Sequence, residues 1–352
     1  MGLSKATAGQ MLCGAVCVAA LVAGAAFAKA AGTTTVTVYT ALQPEQLPIY
    51  QQAFEAAHPN IKIEWVRDTE AAITARLIAE KDDPQADVIW GLEASYLMQV
   101  DSNDQLEHYR PSGFELIKDE FKDRRTGWPT WVGMDAWASA ICFNPDAAAK
   151  HNIPRPESWK DLLNAAYKGQ IVMPNPGASD TGFMTVGGWL QTFGDTGAWD
   201  FMDLLHENVG SYLPSGAKAC AAVATGDYAV GISFPYAGVK LAANGSPVEV
   251  ILPKEGLGWE MEATAVMKGA KHLEAAQVVA DFYASAAANA MYNGYYQILA
   301  RRDVAVTLPD NYLGGEEELL VTPNDFAAEA LKRQAILKEW EKRYGGKNAP
   351  KS

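Results

Sequence analysis

Beyond residue 34, apolar and polar positions switch repeatedly between a period of two and a period of about 3.6. Val36–Tyr39 alternates as a strand, and Pro44–His58 sets Leu47, Tyr50, Gln51 and Phe54 at helix spacing. Ile61–Val66 predicts a second strand, Ala71–Glu80 a helix, Asp87–Trp90 a short apolar strand and Glu93–Val100 another helix. Ala136–Phe143 predicts one strand that turns at Asn144-Pro145. Trp159–Asn164, Ile171–Met173, Phe183–Phe193, Trp199–Glu207, Ala217–Thr225 and Tyr228–Ser233 repeat the alternation. Val248–Leu252, Ala263–Met267, His272–Ala286 and Phe326–Trp340 complete it. This order predicts an α/β fold whose sheets are mainly parallel and flanked by helices. Two blocks of similar size, joined near 136–140 and again near 260, predict two lobes linked by more than one crossing. The expected lobes are 31–136 plus 262–312 and 137–261 plus 313–352. A ligand would then sit in the cleft, outside the carboxyl ends of the strands. A two-domain enzyme fits the same pattern.

The first thirty residues follow a different rule. Lys5 gives a positive start, Met11–Phe27 carries no charge, and Ala26-Phe27-Ala28 and Ala28-Lys29-Ala30 are small-x-small cleavage sites. The apolar run is shorter than the ~20 residues that span a bilayer. Residues 1–30 therefore read as a cleavable signal peptide, which sends a soluble chain to the periplasm. Neither Cys13 nor Cys17 follows the small residue that a lipoprotein signal requires. The formal net charge of -13 argues against nucleic acid and anionic membranes as partners. An anionic ligand must be gripped by local N–H groups and hydroxyls instead. Cys142 and Cys220 remain after cleavage, either as a disulfide in an oxidising compartment or as two buried thiols.

Signatures of catalysis are absent. The mature region has no Gly-x-Ser-x-Gly, His-Glu-x-x-His, Cys-x-x-Cys or Walker A pattern, and its five histidines are scattered. Other segments carry a resemblance: Tyr39-Thr40-Ala41, Ala86–Trp90 (ADVIW), Ile141–Pro145 (ICFNP), Pro174–Phe183 (PNPGASDTGF) and Ala265–His272 (AVMKGAKH). With these the chain resembles type II periplasmic solute-binding proteins of ABC importers over essentially all of 33–345. It is most similar to the ferric-ion and small-anion branch, and in detail to 2-aminoethylphosphonate-binding proteins. The resemblance implies a two-lobed type II fold, a small-molecule ligand held without cofactor or metal, an inner-membrane ABC permease as partner, and a monomer. It departs from the ferric pattern: Ser233-Phe234-Pro235-Tyr236 has one tyrosine where that branch has two, and Thr40-Ala41-Leu42 has no histidine. Tyr295-Tyr296 is an adjacent pair in another element and is expected to pack.

A phosphonate needs several donors, and helix N-termini supply them. Pro176–Gly182 leads into the helix at Phe183, so Ser179, Asp180, Thr181 and Gly182 are candidate anion-site residues. One capping side chain satisfies a helix, whereas this loop offers three. Thr40 and Ser95 stand at strand-to-helix turns, with ordinary capping as the other reading, and Ser233 ends its strand in the same way. An ammonium needs aromatic faces and a carboxylate. Tyr39, Trp137 and Tyr236 are the candidate faces, and Asp135, Glu93, Asp180 and Glu262 the candidate counter-charges. Ferric ion, a phosphate ester or a polyamine would be alternative cargoes. An exported enzyme with Asp135 or Glu93 as base is the reading from another class.

Overall fold

The computed structural model describes residues 32–123, 127–296, 298–308, Tyr312, 314–321 and 323–349. The expected signal peptide at 1–30 lies outside the described residues. From Thr33 onward the chain is one compact unit built on two sheets. The first contains β1 (Thr34–Thr40), β2 (Ile61–Arg67), β3 (Val88–Glu93), β4 (Trp131–Ala138), β10 (Trp259–Val266) and β11 (Ile298–Leu299). Its order is β11-β4-β10-β3-β1-β2. The second contains β5 (Ala140–Phe143), β6 (Ile171–Pro174), β7 (Val209–Leu213), β8 (Val230–Ser233) and β9 (Glu249–Ile251), in the order β7-β6-β8-β5-β9. In each sheet a parallel trio forms the body: β2-β1-β3 in the first and β7-β6-β8 in the second. The antiparallel strands β10 and β5 then join each trio to the rest of its sheet.

The helices are α1 (Leu47–Ala57), α2 (Glu70–Ala79), α3 (Ala94–Asp101), α4 (Pro145–His151), α5 (Asp180–Asn208), α6 (Gly216–Ala224), α7 (Pro235–Ala243), α8 (Leu273–Tyr283), α9 (Ala286–Tyr292) and α10 (Phe326–Tyr344). Helix spacing buries Tyr50 and Phe54 of α1 against Trp90 and Phe282. Helix α5 breaks at Gly194, whose φ of 73° suits glycine. That break separates the two helical patterns legible in the sequence. Helices α4, α7 and α9 are additional to those expected. Two of them open on a proline at the first position, Pro145 and Pro235.

The single strand expected at 136–143 is two strands in two sheets. The chain passes from β4 to β5 at Ser139 and returns at Gly258, ahead of β10. Ser139 N–H donates to the Gly258 carbonyl at 2.7 Å, so the two passages are tied side by side. A Cβ on Gly258 would meet the Met184 carbonyl at 2.5 Å, which excludes any larger residue there without movement. A further link comes from α10. Its Phe326 packs into the core of the first sheet, and its Ile336 and Trp340 into that of the second. Cys142 of β5 and Cys220 of α6 are joined as a disulfide, which resolves the two readings of this pair. Among the described residues no helix is long and apolar enough to cross a membrane.

Candidate functional site

Three successive strands of the second sheet feed helices that begin at one place. Strand β6 leads to α5, β7 to α6 and β8 to α7, and the first residues of all three line a cavity of about 700 Å³. The lining includes Ser179, Asp180 and Thr181, then Ser215 and Gly216, then Phe234, Pro235 and Tyr236. This is the carboxyl edge of a parallel trio, where helix N-termini present free N–H groups and a partial positive charge. The N-caps differ instructively. Thr69, Asn144, Ser285 and Asp325 each accept a hydrogen bond from the first turn of their own helix. Ser179 and Ser215 sit in the same extended backbone conformation, yet neither side chain caps its helix. Their hydroxyls and first-turn N–H groups are left to the cavity.

The facing wall is carboxylate. Glu45, Glu70, Glu93 and Glu262 line it from the first sheet and its helices, with Arg67 among them and Lys240 of α7 opposite. Arg67 Nε is engaged by the Leu42 carbonyl at 3.0 Å. Burial raises the carboxyl pKa of Glu262 to about 8, with the nearby Asp180 adding to the shift. Burial also raises Glu260, its neighbour along β10, to about 8. Glu93 and Glu70 are held well above the ordinary carboxylate range, first by burial and then by repulsion from the surrounding acids. Trp137 closes the floor beside Tyr296, ring centroids 6.2 Å apart.

Of the residues expected at a site, Glu93, Trp137, Ser179, Asp180, Thr181, Tyr236 and Glu262 are brought together on this cavity. The others are not. Tyr39 is wholly buried, its hydroxyl donating to Glu80 at 2.9 Å beneath the Arg76 guanidinium, because its side chain leaves β1 toward α2. Thr40 folds back to accept from Leu42 N–H at 3.1 Å and serves its own turn. Ser95 is fully buried and absent from the lining. Asp135 is sealed from solvent behind the wall, beside Glu262. Gly182 meets its own loop: a Cβ there would lie 2.7 Å from the Pro174 carbonyl. Ser233 donates to the Gly216 carbonyl at 2.8 Å and braces the start of α6.

Asp180 is on the cavity but already paired. Arg333 of α10 reaches it at 2.5 Å, held between the rings of Tyr96 and Phe183. Tyr295 and Tyr296, expected only to pack, line the cavity instead. Ser215 and Gly216 are additional to the expected site residues; their only signal is a polar turn ahead of a helix, and the fold sets them beside Thr181. Among the described residues no group of three or more His, Cys, Asp and Glu is arranged to hold a metal ion.

Comparisons with known proteins bear on the family and the fold. A family model for bacterial extracellular solute-binding proteins matches residues 83–314. The probable ABC transporter periplasmic-binding protein y4fP of Sinorhizobium fredii is 26% identical over 92% of this chain and 89% of its own. An uncharacterized protein of Haemophilus influenzae is 27% identical over 63% of this chain, and the match spans 65% of that relative's length. The structure of the periplasmic binding protein AfuA from Actinobacillus pleuropneumoniae, with fructose-6-phosphate bound, matches with a TM-score of 0.76 at 24% identity. That match covers 89% of this chain and 99% of AfuA.

Proposed function

We propose, from the premise that this chain belongs to the bacterial extracellular solute-binding proteins, that it captures a small zwitterionic organophosphonate in the cleft between its sheets. The ligand that best fits is 2-aminoethylphosphonate, delivered to an inner-membrane ABC permease. The family is one of binding proteins rather than enzymes. Its compartment is the periplasm, where a disulfide such as Cys142–Cys220 persists.

The observation that carries the reading is the polarity of the cleft. Uncapped N-termini of α5 and α6, with Ser179, Thr181 and Ser215, face a wall of Glu70, Glu93 and Glu262. The first wall supplies donors for a phosphonate without a strong positive field. The second supplies counter-charge for an ammonium, with Trp137 and Tyr296 offering aromatic faces worth roughly 0.5–2 kcal/mol to a cation. The two halves close on the ligand by bending at the paired passages Ser139 and Gly258, the liganded form being drawn from an open ensemble.

A phosphate ester is the second reading, favoured by the same donors and by the fructose-6-phosphate bound to AfuA. Calorimetry of the purified protein against 2-aminoethylphosphonate, fructose-6-phosphate, inorganic phosphate, ferric citrate and putrescine separates the cargoes. The aminophosphonate is expected to bind tightest and to be recovered unchanged. Tighter binding of the sugar phosphate would replace the reading.

A further inference from the structure

Among the acids of the cleft, one is set apart by its place in the first sheet. Strands β3, β10 and β4 are neighbours, and their register puts Glu93 opposite Glu262 and Glu262 opposite Asp135. Three carboxyl side chains thus stand in a row across adjacent strands, an arrangement that repels when the groups are charged. Hydrogen bonds do not relieve it. Glu262 Oε2 and both oxygens of Asp135 are buried without a partner among the described residues. Nor is a nearby cation bonded to the row: Arg333 donates to Asp180 and keeps its Nη1 without a partner among the described residues, Arg67 Nε donates to the Leu42 carbonyl, and Lys240 lies on the opposite wall.

A buried carboxylate with neither partner nor cation is costly, so it keeps a proton or waits for a positive group. Asp135 is 0% exposed and no ligand reaches it. Glu262 lies between it and the open cavity, with Tyr296 alongside. The remaining acids of the wall are differently placed. Glu70 accepts the Glu93 N–H at 3.0 Å, and Glu93 sits at the end of the row.

Resting on the zwitterion reading, we propose that Glu262 is the specificity-determining residue that reads the ammonium of the ligand. In this role the ammonium completes the row as its missing cation, between the Glu262 carboxylate and the faces of Trp137 and Tyr296. Neutral and anionic phosphonates are then rejected because they leave Glu262 uncompensated. The anion wall supplies affinity shared by all phosphonates, and Glu262 decides among them.

The test compares 2-aminoethylphosphonate with ethylphosphonate by calorimetry, on the whole mature protein and on Glu262→Gln, Glu262→Asp and Glu70→Gln. The wild type is expected to prefer the amine by on the order of a hundredfold, as for a desolvated charge pair. E262Q should reduce that preference to about tenfold or less while ethylphosphonate binds as well as before or better. E262D should keep a preference between the two, and E70Q a larger share than E262Q. Thermal melting separates a structural role: E262Q removes repulsion and should leave the unliganded protein at least as stable. The inference is overturned if E262Q keeps the full preference, or loses both ligands equally along with its stability. Equal binding of both ligands by the wild type, or of neither, would instead remove the zwitterion reading and this inference with it.

Discussion

The two walls of the cleft are built from the same kind of fold and end in opposite states. On the second sheet, helix starts that carry serine leave it unused, so donors face the cavity without acceptors. On the first, carboxyl groups crowd across β3, β10 and β4, and Glu262 Oε2 and both Asp135 oxygens find no donor among the described residues. Thr69, Asn144, Ser285 and Asp325 cap α2, α4, α9 and α10, whereas α1, α3, α7 and α8 start on other residue types without a side-chain cap. Polar groups left without partners along two facing surfaces suit those surfaces to something that arrives between them. Each wall alone would fit many ligands; the proposed ligand, with opposite charges at its ends, is the one that would use both.

The strongest way to break this contrast is to strip the donor wall. Ser179→Ala, Thr181→Ala and Ser215→Ala together are expected to weaken phosphonate binding by several kcal/mol, since a hydrogen bond to a charged group is worth about 1.5–3. Calorimetry measures it, and unchanged affinity would place the anion elsewhere. Removing the Cys142–Cys220 bond with C142A/C220A should lower stability by about 2–4 kcal/mol in chemical denaturation, because the bond ties α6 to β5 beneath the donor wall.

The acceptor wall makes a prediction in pH. Glu260 and Glu262 have folded pKa values raised to about 8, so the folded protein holds protons that the unfolded chain has released between roughly pH 4.5 and 8. Stability of the unliganded protein should fall as pH rises through that window, and a bound ammonium should flatten the fall. Affinity for 2-aminoethylphosphonate should rise over the same range more than affinity for ethylphosphonate, which controls for ionisation of the phosphonate itself. Melting temperatures and calorimetry at pH 5, 6.5 and 8.5 read both. The smallest effect belongs to the aromatic floor: Trp137→Leu should weaken the amine ligand by about 0.5–2 kcal/mol and leave ethylphosphonate nearly unaffected.

The layered α/β order was legible because strand and helix periods alternate cleanly along the chain. The donor wall was half legible. Pro176–Gly182 shows itself as a polar, glycine-containing start to a helix, and it brings Ser179, Asp180 and Thr181 to the cavity. The matching turn at Ser215 has the same signal, but nothing local says that two helix starts meet. Tyr39 and Thr40 stay off this cavity for a related reason. A strand period says which residues share a face, not which face meets the cleft, and Tyr39 turns to α2. The role of Asp180 was hidden by distance along the chain, since its cation Arg333 lies 153 residues away. The row of carboxyls is equally invisible, because Glu93, Asp135 and Glu262 become neighbours only through strand register. Tyr295-Tyr296 follows the end of α9, and only tertiary packing carries it to the cavity rim.

A crystal structure of the protein grown with 2-aminoethylphosphonate tests the account most directly. The phosphorus should lie within hydrogen-bond reach of the first turns of α5 and α6, with the ligand nitrogen against Glu262. A phosphonate lodged among the carboxylates, or a metal ion held by Tyr295 and Tyr296 in its place, would contradict it.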